Sequence, residues 1–216
     1  MDEVLNNLEI LINEASCFKG NNLIFENITH LIKNGEMMLI MGPNGCGKTT
    51  FIKSICGIQK LESGSVQFNS VDINSEFSEH LNNILYVGHK NSINRDLTVF
   101  ENVEYLCAFD KSIKNIQESE IKKCLDYFGL LKFKNYLVSK ISEGNKKKTS
   151  LVRLLLSKKK IWVLDEPLSF LDSEGNTKIL NLFNQHLSNG GLIISSSHID
   201  FSDNVINTKI YRMGNS

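Results

Sequence analysis

The segment that most constrains the fold of this chain is MGPNGCGKTT, residues 41–50, in which three glycines, one lysine and two threonines fall within ten residues. It overlaps the end of the apolar run MMLIM (37–41) and precedes a run that predicts a helix. Glycine adopts left-handed backbone angles at little steric cost. The segment therefore predicts a tight loop that connects a buried strand to a helix, which is a building unit of α/β folds.

This loop fits the pattern G-x-x-x-x-G-K-[ST], from Gly42 to Thr49. The N–H groups of such a loop point inward around a triphosphate, and the following helix adds its positive N-terminal end. Lys48 supplies a mobile charge for the β- and γ-phosphates, and the Thr49 hydroxyl is a ligand for Mg²⁺. A glycine-rich turn with an incidental lysine is the alternative, which the length, order and context of the match disfavour. The nucleotide is expected to contact Gly42, Pro43, Asn44, Gly45, Cys46 (through its backbone), Gly47, Lys48, Thr49 and Thr50.

The pattern of apolar and turn residues in the rest of the chain predicts an α/β fold with a mostly parallel sheet and an antiparallel β layer near the N-terminus. Strands are predicted at 8–12, 25–32 and 64–68, and strands buried on both faces at 37–41, 161–164 and 192–197. Helices are predicted at 49–58, 98–109, 117–128, 145–157 and 174–188. The interval 90–155 is read as a helical subdomain inserted into a single domain that spans 1–216.

Composition limits the partners and the compartment. Lys and Arg total 24, as do Asp and Glu, so no basic excess points to nucleic acid as a partner. The five cysteines are scattered without a CxxC pair, which is typical of reduced thiols in a cytosolic protein. The first residues, MDEVLNNLEI, carry acid where a signal peptide is basic, and no apolar run approaches the roughly 20 residues that span a bilayer. The chain is expected to stay inside the cell without crossing a membrane.

A second motif, IWVLDEP (161–167), ends a predicted buried strand in two carboxylates. Asp165 is predicted to hold a magnesium-bound water near the phosphate-binding loop. Glu166 is predicted to orient and deprotonate the attacking water, because neighbouring side chains at a strand end diverge. The alternative is a solvated pair of acids in a loop, which is the better interpretation for this motif alone but not beside a phosphate-binding loop.

His198 follows the apolar run LIISSS at another predicted strand end. A neutral imidazole there can hydrogen-bond the γ-phosphate or position Glu166 and water. A lone histidine in such a place is more often structural or on the surface. Only its order after the other two motifs favours the catalytic interpretation.

The order GPNGCGKTT, ISEGN (141–145), IWVLDEP, SFLD (169–172) and SSSH closely resembles the ATP-binding subunit of ABC transporters. ISEGN stands where that family usually has LSGGQ. The resemblance implies that Ser142 and Gly144 contact the γ-phosphate of a nucleotide held by a partner copy, with Asn145 in the place of glutamine. A helix predicted to begin near Asn145 would supply the N–H groups of such an anion site.

The resemblance further implies a head-to-tail homodimer closed by two ATP molecules, with integral membrane subunits as partners. Asp172 would lie across the dimer interface, although SFLD can also be read as the start of a helix that Asp172 caps. Glu143 departs from the pattern, because it places a negative charge where the family has a small residue. The lysines that follow it, Lys146 to Lys148, can offset that charge, but a solvated basic face is the expected state of at least two of them.

The family resemblance also implies roles for two further residues. His89, in YVGHKN, occupies the place of a glutamine that contacts Mg²⁺ or its water, and one neutral ring nitrogen can make that contact. Phe18 is a candidate for stacking on adenine, and an ordinary core aromatic is an equal alternative.

The Gly88-His89 pair, the segment LTVFENVEYL and NGG before LIISSSH resemble the ATP-binding subunit of the haem exporter used in cytochrome c maturation. That resemblance implies the cytoplasmic face of a bacterial inner membrane, with the transported species bound elsewhere. Three alternatives stay open: the ATPase of another small ABC transporter, a soluble ABC ATPase acting on nucleic acid or ribosomes, and a regulatory module that binds ATP but barely hydrolyses it.

Overall fold

The computed structural model describes residues 8–89 and 92–214. The acidic residues at the start of the chain and Lys90, where the helical insert is predicted to begin, lie outside the described residues. The strands are β1 (Glu9–Lys19), β2 (Asn22–Lys33), β3 (Met37–Met41), β4 (Ser63–Phe68), β5 (Val71–Asp72), β6 (Ile84–Val87), β7 (Ile161–Asp165), β8 (Leu192–Ser197) and β9 (Thr208–Arg212).

A five-stranded parallel sheet has the order β6-β7-β8-β3-β9. Every residue of β3, β7 and β8 is buried, which confirms the strands predicted from the nearly continuous apolar runs. Met41 pairs with Ser197 and Asp165 pairs with Ser196, so these three strands end at one edge of the sheet. The glycine-rich loop, the two carboxylates and His198 therefore meet at that edge.

The predicted antiparallel layer is a four-stranded sheet of order β2-β1-β4-β5. Its first two strands contain both buried and exposed residues, as expected when one face packs on the core and the other meets solvent, although only the start of β1 alternates regularly. Both extend further along the chain than predicted. The two-residue β5 completes this sheet.

The helices are α1 (Lys48–Ile55), α2 (Phe77–Asn83), α3 (Val99–Ala108), α4 (Glu118–Tyr127), α5 (Glu143–Leu151), α6 (Arg153–Leu156) and α7 (Ser173–Ser188). Between β6 and β7, the residues that the structure describes contain helices and turns but no strand, which fits the predicted helical insert. None of the helices in residues 8–89 and 92–214 has the length and apolar character needed to cross a membrane.

Helix α1 lies between the two sheets, and this packing fixes the loop before it. Phe51, Ile52 and Ile55 are completely buried in the core shared by the two sheets. Phe51 packs edge-on against Phe25 of β2, with ring centroids 5.1 Å apart. A second core cluster lies between the other face of the parallel sheet and the helices.

Two features differ from the sequence prediction. The helix predicted at 145–157 begins two residues earlier and divides at Val152 into α5 and α6. Strands β5, β6 and β9 and helix α2 were not predicted, because they are short or lie at an edge. In β9, for example, no residue is fully buried.

A substitution of Phe183 in α7 tests the core cluster that lies between the parallel sheet and the helices. The Phe183 ring is completely buried and lies 6.4 Å from Trp162 and 6.3 Å from Phe201, centroid to centroid. We expect Phe183→Leu to lower the free energy of unfolding by about 1.5 kcal/mol, because the smaller side chain leaves unfilled space. Urea denaturation measures this change. Phe109→Leu is the control, because Phe109 is 71% exposed, and an equal loss in both variants would contradict the assignment.

Candidate active site

The loop from Gly42 to Gly47 joins β3 to α1 in a conformation that requires glycine. Gly45 and Gly47 have φ values of 85° and 103°. A Cβ atom on Gly47 would lie 2.5 Å from Cγ2 of Ile24, so the loop also passes too close to β2 for a side chain. Gly47 caps α1 without a side-chain hydrogen bond, and the first turn carries no acid. The N–H groups at this helix end are thus available to an anion.

Lys48 holds a buried positive charge against this loop. Its Nζ donates hydrogen bonds to the carbonyl oxygens of Gly42, at 2.7 Å, and Pro43, at 3.1 Å. The same atom lies 3.5 Å from Oε1 of Glu166. The ammonium therefore connects the glycine-rich loop to the carboxylate at the end of β7.

Asp165 is completely buried, and both of its oxygens accept hydrogen bonds. The Thr49 hydroxyl donates to Oδ2 at 2.8 Å, and the Ser196 hydroxyl donates to Oδ1 at 2.6 Å. The structure thus brings into contact two of the three residues predicted to hold Mg²⁺ or its water. Hydroxyl and carboxylate oxygens suit Mg²⁺, which usually binds a few protein oxygens together with water and substrate phosphates.

Glu166 lies at the sharp turn after β7, where its φ is 51°. Its backbone N–H donates to the Ser196 hydroxyl at 3.0 Å, and its Oε2 lies 3.0 Å from Nδ1 of His198. The two carboxylates have different side-chain partners, as expected for side chains that diverge. His198, whose side chain is half exposed, contacts Glu166 directly and so lies where the catalytic interpretation requires.

A cleft of about 380 Å³ opens beside these groups. His89 is exposed in it and shares its wall with the loop and with Glu166, although His89 lies in a different segment of the chain. The residues that line the cleft are Asn44, Gly45, Gly47, Lys48, Thr49, Thr50, His89 and Glu166.

The ISEGN segment does not line this cleft. Ser142 caps α5, and its hydroxyl accepts from the N–H of Asn145 at 3.2 Å. Gly144 packs so closely that a Cβ atom there would lie 2.7 Å from the carbonyl oxygen of Phe170, within SFLD. The helix begins at Glu143 rather than near Asn145, and the residues at its N-terminal end do not line the cleft of the same chain.

Asp172 caps α7, as one of the two interpretations of SFLD predicted. Its carboxylate accepts from the N–H of Gly175 at 2.8 Å and pairs with Lys148 at 3.0 Å. These two contacts hold the pKa of Asp172 below its usual value. A role across a dimer interface remains a prediction.

Two interpretations from the sequence are wrong. Phe18 is not a core aromatic, because 43% of it is exposed at the end of β1, and adenine stacking remains a prediction for it. None of the three lysines after ISEGN forms a solvated face. Lys146 and Lys147 are buried and Lys148 is partly buried. Lys146 pairs with Glu143 at 2.6 Å and so offsets its charge.

Sequence reasoning missed two residues of this site. Ser196 connects Asp165 to the backbone of Glu166, and the only signal for it was a small polar residue at the end of a buried strand. Lys147 is almost completely buried. Burial lowers the pKa of Lys147 to about 8, and the negative charges of Asp165 and Glu166 oppose that shift. The spacing of Lys147, Leu151 and Leu154 on one helical face was an available signal.

The fold and the cleft define a class: the chain is a P-loop nucleoside triphosphatase. The family model described as "ABC transporter" matches residues 25–169. The chain belongs to this family and is one of its ATPases.

Two relatives carry the name "Cytochrome c biogenesis ATP-binding export protein CcmA". The one from Albidiferax ferrireducens is 31% identical over 159 residues, covering 74% of this chain and 75% of the relative. The one from Nitrosomonas europaea is 33% identical over 156 residues, covering 72% of each chain.

Solved structures share the fold. An ABC transporter ATP-binding protein from Pyrococcus furiosus has a TM-score of 0.79 at 25% identity, covering 94% of this chain and 96% of that one. An ATP-binding cassette solved as a dimer in a post-hydrolysis state with ADP and Pi has a TM-score of 0.80 at 23% identity, covering 94% of each chain.

Proposed function

We propose that this chain powers haem export for c-type cytochrome biogenesis by hydrolysing ATP for integral membrane partner subunits. The observation that carries the proposal is the identity of 31–33% to the two cytochrome c biogenesis export proteins over about three quarters of the chain. The Gly88-His89 pair, which resembles that exporter family, adds support because His89 lies in the cleft. The proposed location is the cytoplasmic face of a bacterial inner membrane.

In the proposed reaction, the N–H groups of the glycine-rich loop and Lys48 bind the β- and γ-phosphates. Thr49 and Asp165 would hold Mg²⁺ or its water, with His89 as a further contact, and the bound ion would neutralise phosphate charge. Glu166 orients the attacking water and accepts its proton. His198 holds the Glu166 carboxylate through the contact at Oε2.

The proposed active form is a head-to-tail homodimer. Ser142, Gly144 and Asn145 do not line the cleft of their own chain, and the N–H groups at the N-terminal end of α5 that Ser142 does not cap suit the γ-phosphate bound by a partner copy. The dimer reported for one solved structure of the same fold supports this arrangement. ATP would close the interface and hydrolysis would loosen it. The dimer would thus have a closed and an open state to which the membrane subunits can respond.

Retention of membrane subunits tests the proposal. The tagged chain is recovered from gently solubilised membranes of its own host, and the proteins that remain bound are identified by mass spectrometry. We expect the integral membrane subunits of a haem exporter. Subunits of another transporter would contradict the haem assignment alone, whereas ribosomes or DNA would favour a soluble ABC ATPase.

Loss of the chain gives an independent readout in the same host. We expect a deletion strain to lose covalently bound haem from its c-type cytochromes, as seen by haem staining of gels. The wild-type chain should restore the staining. Normal staining in the deletion strain would contradict the proposed export function, but it would not bear on the assignment of ATPase activity.

A further inference from the structure

Strand β8 ends in three consecutive serines whose hydroxyl groups have different partners. The Ser195 hydroxyl donates to the carbonyl oxygen of Ser196 at 3.4 Å, and the Ser197 hydroxyl donates to that of Ile199 at 2.7 Å. The Ser196 hydroxyl instead contacts Asp165, because successive side chains of a strand point to opposite faces of the sheet. Ser196 therefore differs from both of its neighbours by its contact with the acids of the site.

The register of the parallel sheet brings Ser196 to Asp165. The two residues are partners in the pairing of β7 with β8, and both are completely buried. The Ser196 hydroxyl donates to Oδ1 of Asp165 at 2.6 Å, a length typical of a hydroxyl bound to an ionised carboxylate. Water cannot replace this donor, since neither side chain is accessible to solvent. Oδ1 of Asp165 thus depends on Ser196 for its hydrogen bond.

The same hydroxyl oxygen accepts the backbone N–H of Glu166 at 3.0 Å. Glu166 has a φ of 51°, in the left-handed region, which is unfavourable for a residue with a Cβ atom. The hydrogen bond to Ser196 stabilises this turn, after which the Glu166 carboxylate contacts His198 while that of Asp165 contacts Thr49. One hydroxyl thus serves both acids, as a donor to the side chain of the first and an acceptor from the backbone of the second.

Two hydroxyl groups fix the Asp165 carboxylate. Thr49 donates to Oδ2 at 2.8 Å, and Ser196 donates to Oδ1. Hydrogen bonds of this kind orient a metal-ligating carboxylate, and their loss lowers metal affinity or activity. Thr49 lines the nucleotide cleft and is itself a predicted Mg²⁺ ligand, whereas Ser196 does not line the cleft. Ser196 is therefore the partner that can keep its contacts unchanged when Mg·ATP binds.

We propose that Ser196 is a positioning residue for ATP hydrolysis, which orients the Asp165 carboxylate towards Mg²⁺ or its water and holds the turn that presents Glu166 to the attacking water. The proposal rests on the roles proposed for Asp165 and Glu166 in the function above. Because both hydrogen bonds depend on one oxygen atom, the loss of that atom should affect the use of Mg²⁺ and the chemical step together. A residue that only fills space in the core would affect stability alone.

The test is Ser196→Ala, which removes this oxygen atom. We expect kcat at saturating Mg²⁺ to fall about tenfold, because the general base is misplaced. The Mg²⁺ concentration for half-maximal activity should rise about tenfold. The Mg²⁺ concentration at which a non-hydrolysable ATP analogue raises the melting temperature gives the same shift without turnover. In EDTA, the Kd for a fluorescent ATP analogue should stay within about twofold, because the loop and Lys48 are unchanged.

Ser195→Ala is the matched control, because Ser195 is also completely buried and lies on the same strand. Its kcat per folded molecule and its Mg²⁺ dependence should equal those of the wild type, whatever its melting temperature. Ser196→Thr keeps the hydroxyl group and should restore both quantities per folded molecule. Ser196→Cys offers only a weak donor and acceptor, so it should change both quantities in the direction expected for alanine, and it replaces alanine if that variant does not fold.

The outcomes separate this inference from the proposed function. If Glu166→Gln abolishes hydrolysis but Ser196→Ala keeps kcat and the Mg²⁺ dependence within about twofold, the inference is overturned and the ATPase mechanism stands. If Ser196→Ala lowers the melting temperature without a shift in the Mg²⁺ dependence, or if Ser195→Ala shifts it equally, the role of Ser196 is structural and the inference is also overturned. Equal rates for the wild type and Glu166→Gln would overturn the catalytic role on which the inference rests.

Discussion

Lys48→Met is expected to lower ATP turnover by about 10²-fold to 10³-fold, the range found when one preorganised hydrogen-bond donor to developing negative charge is removed. In the structure the ammonium is bound to the carbonyl oxygens of Gly42 and Pro43 and lies 3.5 Å from Glu166. Methionine fills the same space but offers no charge to the β- and γ-phosphates. Phosphate release measures the turnover.

Binding gives a second readout of the same variant. A ligand that binds only the folded state raises the melting temperature, so Mg·ATP should stabilise the wild type and stabilise Lys48→Met much less. Lys53→Met is the control, because Lys53 lies on the same helix but is not part of the cleft. If Lys48→Met bound nucleotide as tightly as the control, the role assigned to the glycine-rich loop would be wrong.

The sequence predicted the centre of the fold well, because the signals there are local. The runs at 37–41, 161–164 and 192–197 are apolar enough to identify buried strands without any knowledge of their neighbours. The glycine-rich loop is recognisable for the same reason, since its spacing and its flanking elements lie within twenty residues. Strand β9 gave no comparable signal, because its residues are partly or fully exposed at the edge of the sheet.

Other features depend on contacts between distant segments. The helix predicted at 145–157 divides at Val152, although neither Gly nor Pro is present there to end it. Asp165 and Ser196 meet because β7 pairs with β8, and no local pattern contains that pairing. The charge of Lys147 suggested a solvated side chain, whereas the face of α5 on which it lies packs inward.

For the same reason, the sequence predicted only part of the site. Thr49 contacts Asp165 and Glu166 contacts His198, so the predicted residues meet, but Ser196, which was not predicted, connects the two pairs. Ser142 and Asp172 each cap a helix, and these local roles are all that a single chain can display. Their proposed contacts with a nucleotide require a second copy, so they must be tested on the dimer.

Glu166→Gln tests the dimer and the chemistry together. Glutamine keeps the shape of the side chain but cannot accept a proton from water, so we expect hydrolysis to fall by at least about 10²-fold while ATP still binds. ATP that is not hydrolysed should then hold two copies together. Light scattering after size exclusion should show a dimer with ATP and a monomer without nucleotide.

Glu118→Gln is the matched control, because Glu118 is exposed on α4 and pairs with Lys122 of the same helix, at 2.6 Å. It should hydrolyse ATP at the wild-type rate and show no stable dimer under the same conditions. Equal hydrolysis by the wild type and Glu166→Gln would exclude Glu166 as the base and favour a module that binds ATP for regulation. A loss of hydrolysis without dimer formation would support Glu166 as the general base and contradict the proposal that two copies share the nucleotide. The two roles can be separated because they depend on different residues of the chain.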